Sequence, residues 1–171
     1  FNGKFKIFYR SIVLKKILVV YYSLFGTTEL AAEYLAEKVK ADLLKLIPEK
    51  DYSFDYNTAV KEARLDIEKE FCPKLINKEI DIGQYDMIFV GGPNWFKCFP
   101  PPIISFLKNN SKKFKTVIPF CTHGGGGLGK MEMQIQQKCL NVTLINGIAI
   151  SPDTITENID SWLEVNGTIL K

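Results

Sequence analysis

Short apolar strands alternating with stretches of helical period are the feature that most limits how this chain can fold. Lys16-Ile-Leu-Val-Val-Tyr-Tyr22 is a β-branched and aromatic run bounded by polar residues. It reads as a strand buried on both faces, the kind found in parallel sheets. Leu30, Ala31, Tyr34, Leu35 and Val39 then recur at helical spacing, with glutamates and lysines between them. Leu43 to Ile47 forms a second strand, stopped by Pro48. Asp86 to Val90 is a third, Thr116 to Cys121 a fourth, and Val142 to Ile150 holds a fifth with a break allowed at Gly147. Between them, Pro100, Pro101 and Pro102 open a helix from Ile103 to Asn109, because proline suits a first turn. Gly124 to Gly127 lead into a helix with Leu128, Met131, Ile135 and Cys139 on one face. Thr154-Ile-Thr-Glu157 fits a capping box for a last helix whose core face is Ile155, Ile159, Trp162 and Leu163. Residues 48 to 83 carry the weakest signal. Asn57 can cap a helix with the apolar face Val60, Ala63, Ile67 and Phe71, ended by Pro73.

Strands alternating with helices make a parallel sheet with helices on both faces, a three-layer α/β architecture. Right-handed crossovers leave few topologies, and the doubly wound order 2-1-3-4-5 is favoured. The 171 residues fit one domain, with no internal repeat and no low-complexity tract. In such sheets ligands sit beyond the carboxyl ends of the strands, at the switch between strands 1 and 3. The loops after strands 1, 3 and 4 are therefore where chemistry is expected.

Composition removes several other classes. The longest uncharged apolar runs, such as Ile17 to Tyr22, are far too short to span a membrane. The four cysteines (Cys72, Cys98, Cys121, Cys139) contain no C-x-x-C pair and read as buried free thiols in a reducing, cytoplasmic setting. A single histidine, His123, rules out a multi-histidine metal site. The net charge of +3 comes wholly from Lys4, Lys6 and Arg10, so residues 15–171 are formally neutral. A nucleic-acid protein places its basic surplus on the folded body, and this chain does not. Residues 1–14 read as an accessory N-terminal extension without catalytic work, able to add a strand or pack on the sheet edge, and residues 15–171 as one domain. The chain opens on Phe1 instead of methionine, which reads as processing, truncation or added sequence.

Each of the three loops has two readings. Ser23-Leu-Phe-Gly-Thr-Thr28 offers three hydroxyls and a glycine at a helix start, where unpaired amides attract phosphate. It holds no lysine or arginine and no Walker pattern, which suits a mononucleotide monophosphate better than a triphosphate with magnesium. The same residues can serve as a plain Ser/Thr helix cap. In Gly91-Gly-Pro-Asn-Trp-Phe-Lys97 the two glycines let the backbone approach a ligand, and Trp95 and Phe96 can stack on a flat heteroaromatic ring or pack as core under the proline turn. In Cys121-Thr-His-Gly-Gly-Gly-Gly127 four glycines in a row invite a close ligand. The G-x-G-x-x-G match of Gly124, Gly126 and Gly129 is a by-product of that run, since no acidic residue follows at the right distance for a ribose. Cys121 has no arginine after it to make a phosphatase loop, and His123 is a hydrogen-bonded structural residue or a proton donor. A receiver domain of the same topology needs acids at the ends of strands 1 and 3; Tyr21-Tyr22-Ser23 and Val90-Gly91-Gly92 stand there instead.

Ile17-Leu-Val-Val-Tyr-Tyr-Ser-Leu-Phe-Gly-Thr-Thr28, Gly91-Gly-Pro-Asn-Trp-Phe96 and Pro119-Phe-Cys-Thr-His-Gly-Gly125 together resemble the short flavodoxin-like FMN-binding family, from about Lys16 to the last helix. The resemblance implies a flavodoxin-like three-layer α/β/α sandwich with FMN as cofactor. The family's phosphate loop usually reads Ser/Thr-x-Thr-Gly-Asn-Thr; Ser23, Gly26 and Thr28 match it, while Phe25 replaces a threonine and Thr27 the asparagine. Its strand 3 loop usually reads Gly-Tyr-Pro-x-Trp-Trp-Gly; Gly91, Pro93 and Trp95 match, while Gly92, Phe96 and Lys97 depart. The glycine at the position of Lys97 permits a backbone rearrangement beside the flavin in such proteins. Thr122, Gly124 and Gly125 match the third flavin-facing loop.

By this resemblance, the phosphate sits on Ser23, Gly26, Thr27 and Thr28. The isoalloxazine lies between the strand 3 and strand 4 loops against Trp95, with Phe25, Pro93, Asn94, Phe96 and His123 completing the site. The implied role is redox. It is either electron transfer between partner proteins or NAD(P)H-dependent reduction of a small quinone-like acceptor. Carriers resembling flavodoxins are strongly acidic, and a neutral body weakens that choice. The alternative is a flavodoxin-like module without flavin that serves as a binding scaffold, a reading suggested by Phe25, Thr27, Gly92 and Lys97.

Overall fold

A computed structural model describes residues 15–170. The N-terminal stretch expected to add a strand or cover the sheet edge lies outside the described residues. The chain runs β1 (Ile17–Tyr21), α1 (Thr27–Val39), β2 (Asp42–Lys45), α2 (Tyr56–Glu68), β3 (Met87–Pro93), α3 (Pro101–Asn109), β4 (Thr116–Thr122), α4 (Met131–Lys138), β5 (Thr143–Leu144), β6 (Ile148–Ile150) and α5 (Ile155–Asn166). The strand order is β2-β1-β3-β4-β5, with β6 also on β4, and every pairing is parallel. The expected order is therefore observed. The fifth strand is broken where glycine allowed it: a Cβ on Gly147 would lie 2.5 Å from the carbonyl oxygen of Pro119, so only glycine lets the chain pass β4 there.

Alternation along β1 builds the two cores. Leu18, Val20 and Tyr22 join one cluster with Ala59 and Ala63 of α2, Ile103 and Phe106 of α3, and Met131 and Ile135 of α4. Ile17, Val19 and Tyr21 join the other with Ala31, Ala32 and Leu35 of α1 and Ile159 of α5. Successive side chains of a strand point to opposite faces, so a run apolar at every position must be covered twice. Helices α1 and α5 cover one face, and α2, α3 and α4 the other.

Three local expectations are corrected. Helix α2 is capped by Asp55, whose carboxylate accepts the Thr58 amide at 2.8 Å, and not by Asn57, which lies inside the helix. Phe71 falls beyond the end of α2 and is exposed; the buried positions are Ala59 and Ala63. The capping box at Thr154 does not form. Instead the Asn158 carboxamide oxygen accepts both the Ser151 amide (2.9 Å) and the Thr154 hydroxyl (3.0 Å), drawing the chain after β6 onto α5. All four cysteines are free, but only Cys121 and Cys139 are buried; Cys72 and Cys98 are half-buried. Among the described residues no helix is long and apolar enough to cross a membrane.

Candidate functional site

Register decides which loops meet. Tyr21 of β1 is level with Gly91 of β3, which is level with Phe120 of β4, and β3 and β4 continue together to Pro93 and Thr122. The loops after these three strands leave the sheet at one edge.

The first loop turns into α1 through Gly26, the N-cap residue, held at φ 91°, a left-handed value that favours glycine. The Ser23 hydroxyl oxygen accepts the Gly26 amide at 3.1 Å and ties the loop back on itself. Among the described residues no side chain caps α1. The first-turn amides therefore keep their positive dipole end for something else. Thr28 and Thr122 share a hydrogen bond of 2.7 Å between their buried hydroxyls and so link the first loop to the third. Phe25 is exposed and rests at a tilt against Tyr56 of α2, with ring centroids 6.3 Å apart.

In the second loop the glycines do something other than expected. A Cβ on Gly91 would meet the Phe120 ring at 2.3 Å, and one on Gly92 would meet Pro100 at 2.9 Å. Both glycines are buried and make room for neighbouring side chains, not for a ligand. Trp95 is half-buried, its ring set edge-on to Tyr52 (4.8 Å) and Tyr22 (5.8 Å). The chain then reverses in a two-residue turn. Trp95 and Cys98 exchange backbone hydrogen bonds, and Phe96 (φ 54°) and Lys97 (φ 66°) are both left-handed. Asn94 fixes this turn: its side-chain oxygen accepts the Lys97 amide at 2.8 Å, and its side-chain nitrogen donates to the Gly127 carbonyl at 2.6 Å. The second and third loops are thus clamped together.

In the third loop burial pushes the Cys121 thiol up to about 12. It sits 3.1 Å from the Gly127 carbonyl, so it is neutral and no nucleophile. His123 accepts the Gly125 amide on Nδ1 at 2.9 Å, which leaves Nε2 to carry the proton of the neutral ring. Among the described residues nothing lies within 4 Å of a Cβ added to Gly124 or Gly125.

Together the loops line one cleft of about 240 Å³. Ser23, Phe25, Thr27 and Thr28 come from the first, Pro93, Asn94 and Trp95 from the second, and Thr122, His123 and Gly124 from the third. Gly26, Phe96 and Gly125, also expected at the site, stand just outside this wall as the helix cap, the turn tip and the donor to His123. A larger cleft of about 370 Å³ lies between Glu49 and Lys74, but it contains none of the three loops. Leu24, Tyr56 and Pro152 line the site without having been expected. Pro152 follows β6, whose carboxyl end shares the edge of β4, so the strand order itself pointed to it. Nothing in the periodicity marked Tyr56, which enters from the first residue of α2.

The sequence profile of the flavodoxin family matches residues 16–166. The chain belongs to the flavodoxin family. A candidate flavoprotein from Bacteroides eggerthii is 32% identical, with a TM-score of 0.78 over 90% of this chain and 98% of its own. A Lactobacillus acidophilus flavoprotein solved in complex with FMN is 25% identical, with a TM-score of 0.70 over 86% of this chain and 98% of its own. The oxidised flavodoxin 1 of Bacillus cereus, 14% identical, shares the fold at a TM-score of 0.52 over 89% of this chain and 95% of its own. No curated protein matches the chain. The Phe25 ring, standing where the family pattern has a threonine, rests on Tyr56 and lines the cleft together with Ser23 and Thr27. Lys97, standing at a family glycine, has left-handed backbone, a conformation that favours glycine.

Proposed function

We propose that this chain binds FMN non-covalently and acts as a redox protein, carrying electrons between partner proteins or from NAD(P)H to a small quinone-like acceptor. The observation that carries the reading is the meeting of three loops, read separately in the sequence as phosphate-binding, ring-stacking and glycine-rich, in one cleft at one sheet edge. The residues fit the group. The uncapped first turn of α1, with the hydroxyls of Ser23 and Thr27 beside it, suits a phosphomonoester held by amides and neutral donors. Among the described residues nothing meets a Cβ on Gly124 or Gly125, as expected of a backbone that leaves room for a guest. Bound there, FMN would supply reversible uptake of one or two electrons.

The chain's own residues do the rest. Trp95, braced edge-on by two tyrosines, offers a rigid apolar wall. His123 keeps a proton on Nε2 at the cleft wall. The Thr28–Thr122 hydrogen bond holds the first and third loops together, so the cleft is formed before a ligand arrives. The four free thiols suit a reducing cytoplasm. Residues 15–171 carry no net charge, which favours a small acceptor over docking on a basic reductase.

The test is titration of the purified chain with FMN. Saturable quenching of flavin fluorescence with protein-bound yellow colour is expected; its absence overturns the reading and leaves a flavin-free scaffold. NAD(P)H oxidation in the presence of a quinone then separates the enzyme, which turns over, from the carrier, which does not.

A further inference from the structure

The cleft formed by the three loops does not end at Trp95. A second opening of about 180 Å³ adjoins it, and Phe25, Tyr56, Asn94 and Trp95 belong to the walls of both. It is also lined by Phe96 and by Ala59, Val60 and Ala63 of α2, small residues that leave room where larger side chains would fill it. The aromatic side chains around this slot are kept in contact with water: Phe25, Tyr56 and Phe96 are 53%, 66% and 43% exposed. Exposed aromatic surface gathered about an opening marks a place for a flat partner. The Arg64 guanidinium lies over the Phe96 ring, 4.7 Å from its centroid, and among the described residues it makes no ion pair. A guanidinium stacked on an aromatic ring keeps its N–H edge for a carboxylate or sulfonate.

We propose that this slot binds a planar aromatic anion, a quinone bearing a carboxylate or sulfonate, with Arg64 selecting for the negative charge. The role as acceptor site rests on the reading of the adjoining cleft as the FMN site; binding to the slot does not. Over a turnover such a quinone gains a hydride equivalent from NAD(P)H and one proton from solvent, and leaves as the hydroquinone. Nothing in the slot is needed to form or break a bond. Its work is to hold the ring beside Trp95 and to sort acceptors by charge.

The experiment is calorimetric titration of the full chain with naphthoquinone sulfonate and with neutral menadione, each with and without saturating FMN. The sulfonate is expected to bind about tenfold more tightly, the scale of one charge-assisted contact. Arg64→Gln removes that preference and leaves menadione binding as it was. Val60→Trp fills the slot and weakens both quinones, and neither variant changes the FMN titration. Equal affinities for the two quinones in the wild-type chain overturn the proposal, as does a preference that survives Arg64→Gln. Loss of all quinone binding once FMN is saturating also overturns it, because the slot would then belong to the flavin ring. Failure of FMN to bind, with the Arg64-dependent preference intact, overturns the proposed function and leaves the slot standing.

Discussion

Phe96 and Lys97 are consecutive residues in left-handed backbone, a conformation that costs a residue with a Cβ about 1 to 2 kcal/mol. A two-residue reversal of this kind favours Asn-Gly. The neighbours hold it in place: Trp95 and Cys98 bond across it, Asn94 accepts the Lys97 amide, and the Lys130 amide donates to the Lys97 carbonyl at 2.7 Å. Lys97→Gly is therefore expected to raise the free energy of unfolding by roughly 0.5 to 1 kcal/mol, the relieved strain less the greater freedom of glycine in the unfolded chain. Urea unfolding checks it, and a lower midpoint would show that the Lys97 side chain holds more than its backbone loses. The sequence displays Lys97 as a departure from a glycine position. It does not display the backbone, because the turn is imposed by bonds from Asn94 and Lys130, one of them 33 positions away in the chain.

Elements were legible where a segment carries its own pattern. Strands β1, β3 and β4 each announce themselves by an unbroken apolar run, and the positions of their ends follow from parallel register. Residues 48–83 carry no such pattern because contacts distant in sequence hold them. Pro48 bridges Leu75, the Glu49 amide donates to the Lys74 carbonyl, and the Tyr22 and Tyr52 hydroxyls donate to Asp51 (2.5 Å) and Asp66 (3.0 Å). Tyr56, at the head of α2, could not be placed beside Phe25 without knowing these contacts. The glycines of β3 mislead for a related reason. Their local chemistry fits a ligand loop, and only the β3–β4 pairing shows Phe120 pressed against Gly91. Gly91→Ala should thus act through the sheet. Overpacking at this contact is expected to cost on the order of 1 to 3 kcal/mol in unfolding free energy. A variant as stable as the wild type in thermal melts would remove the packing role and restore the ligand-approach reading.

Across the whole molecule, the charged and phenolic groups set opposite limits on pH. The Glu29 carboxyl is held below its ordinary range by hydrogen bonds from Lys45 and Tyr21, and that of Asp86 by the Lys16 amide and Lys115. Thr58 does the same for Asp55, and Lys38 with Tyr34 for Asp160. Stability from these groups is full above the unfolded carboxyl range near 4 and is lost as pH falls through the lower folded values. Tyrosines set the other limit. Burial, then the Asp42 hydrogen bond, pushes the Tyr85 hydroxyl up to about 12, and burial with carboxylate partners raises Tyr21, Tyr22 and Tyr52 further. Above about pH 10 the unfolded chain ionises these phenols while the folded chain keeps them neutral, so stability declines by up to about 1.4 kcal/mol per pH unit for each. A plateau between about pH 5 and 9 with loss on both sides is expected in urea midpoints measured across pH. Tyr52→Phe removes one of the raised phenols and its bond to Asp66. It is expected to be less stable by about 1 kcal/mol at neutral pH yet to decline less steeply in alkali. The two curves should converge as pH rises, and an alkaline slope equal to that of the wild type would show that Tyr52 does not keep its proton through folding.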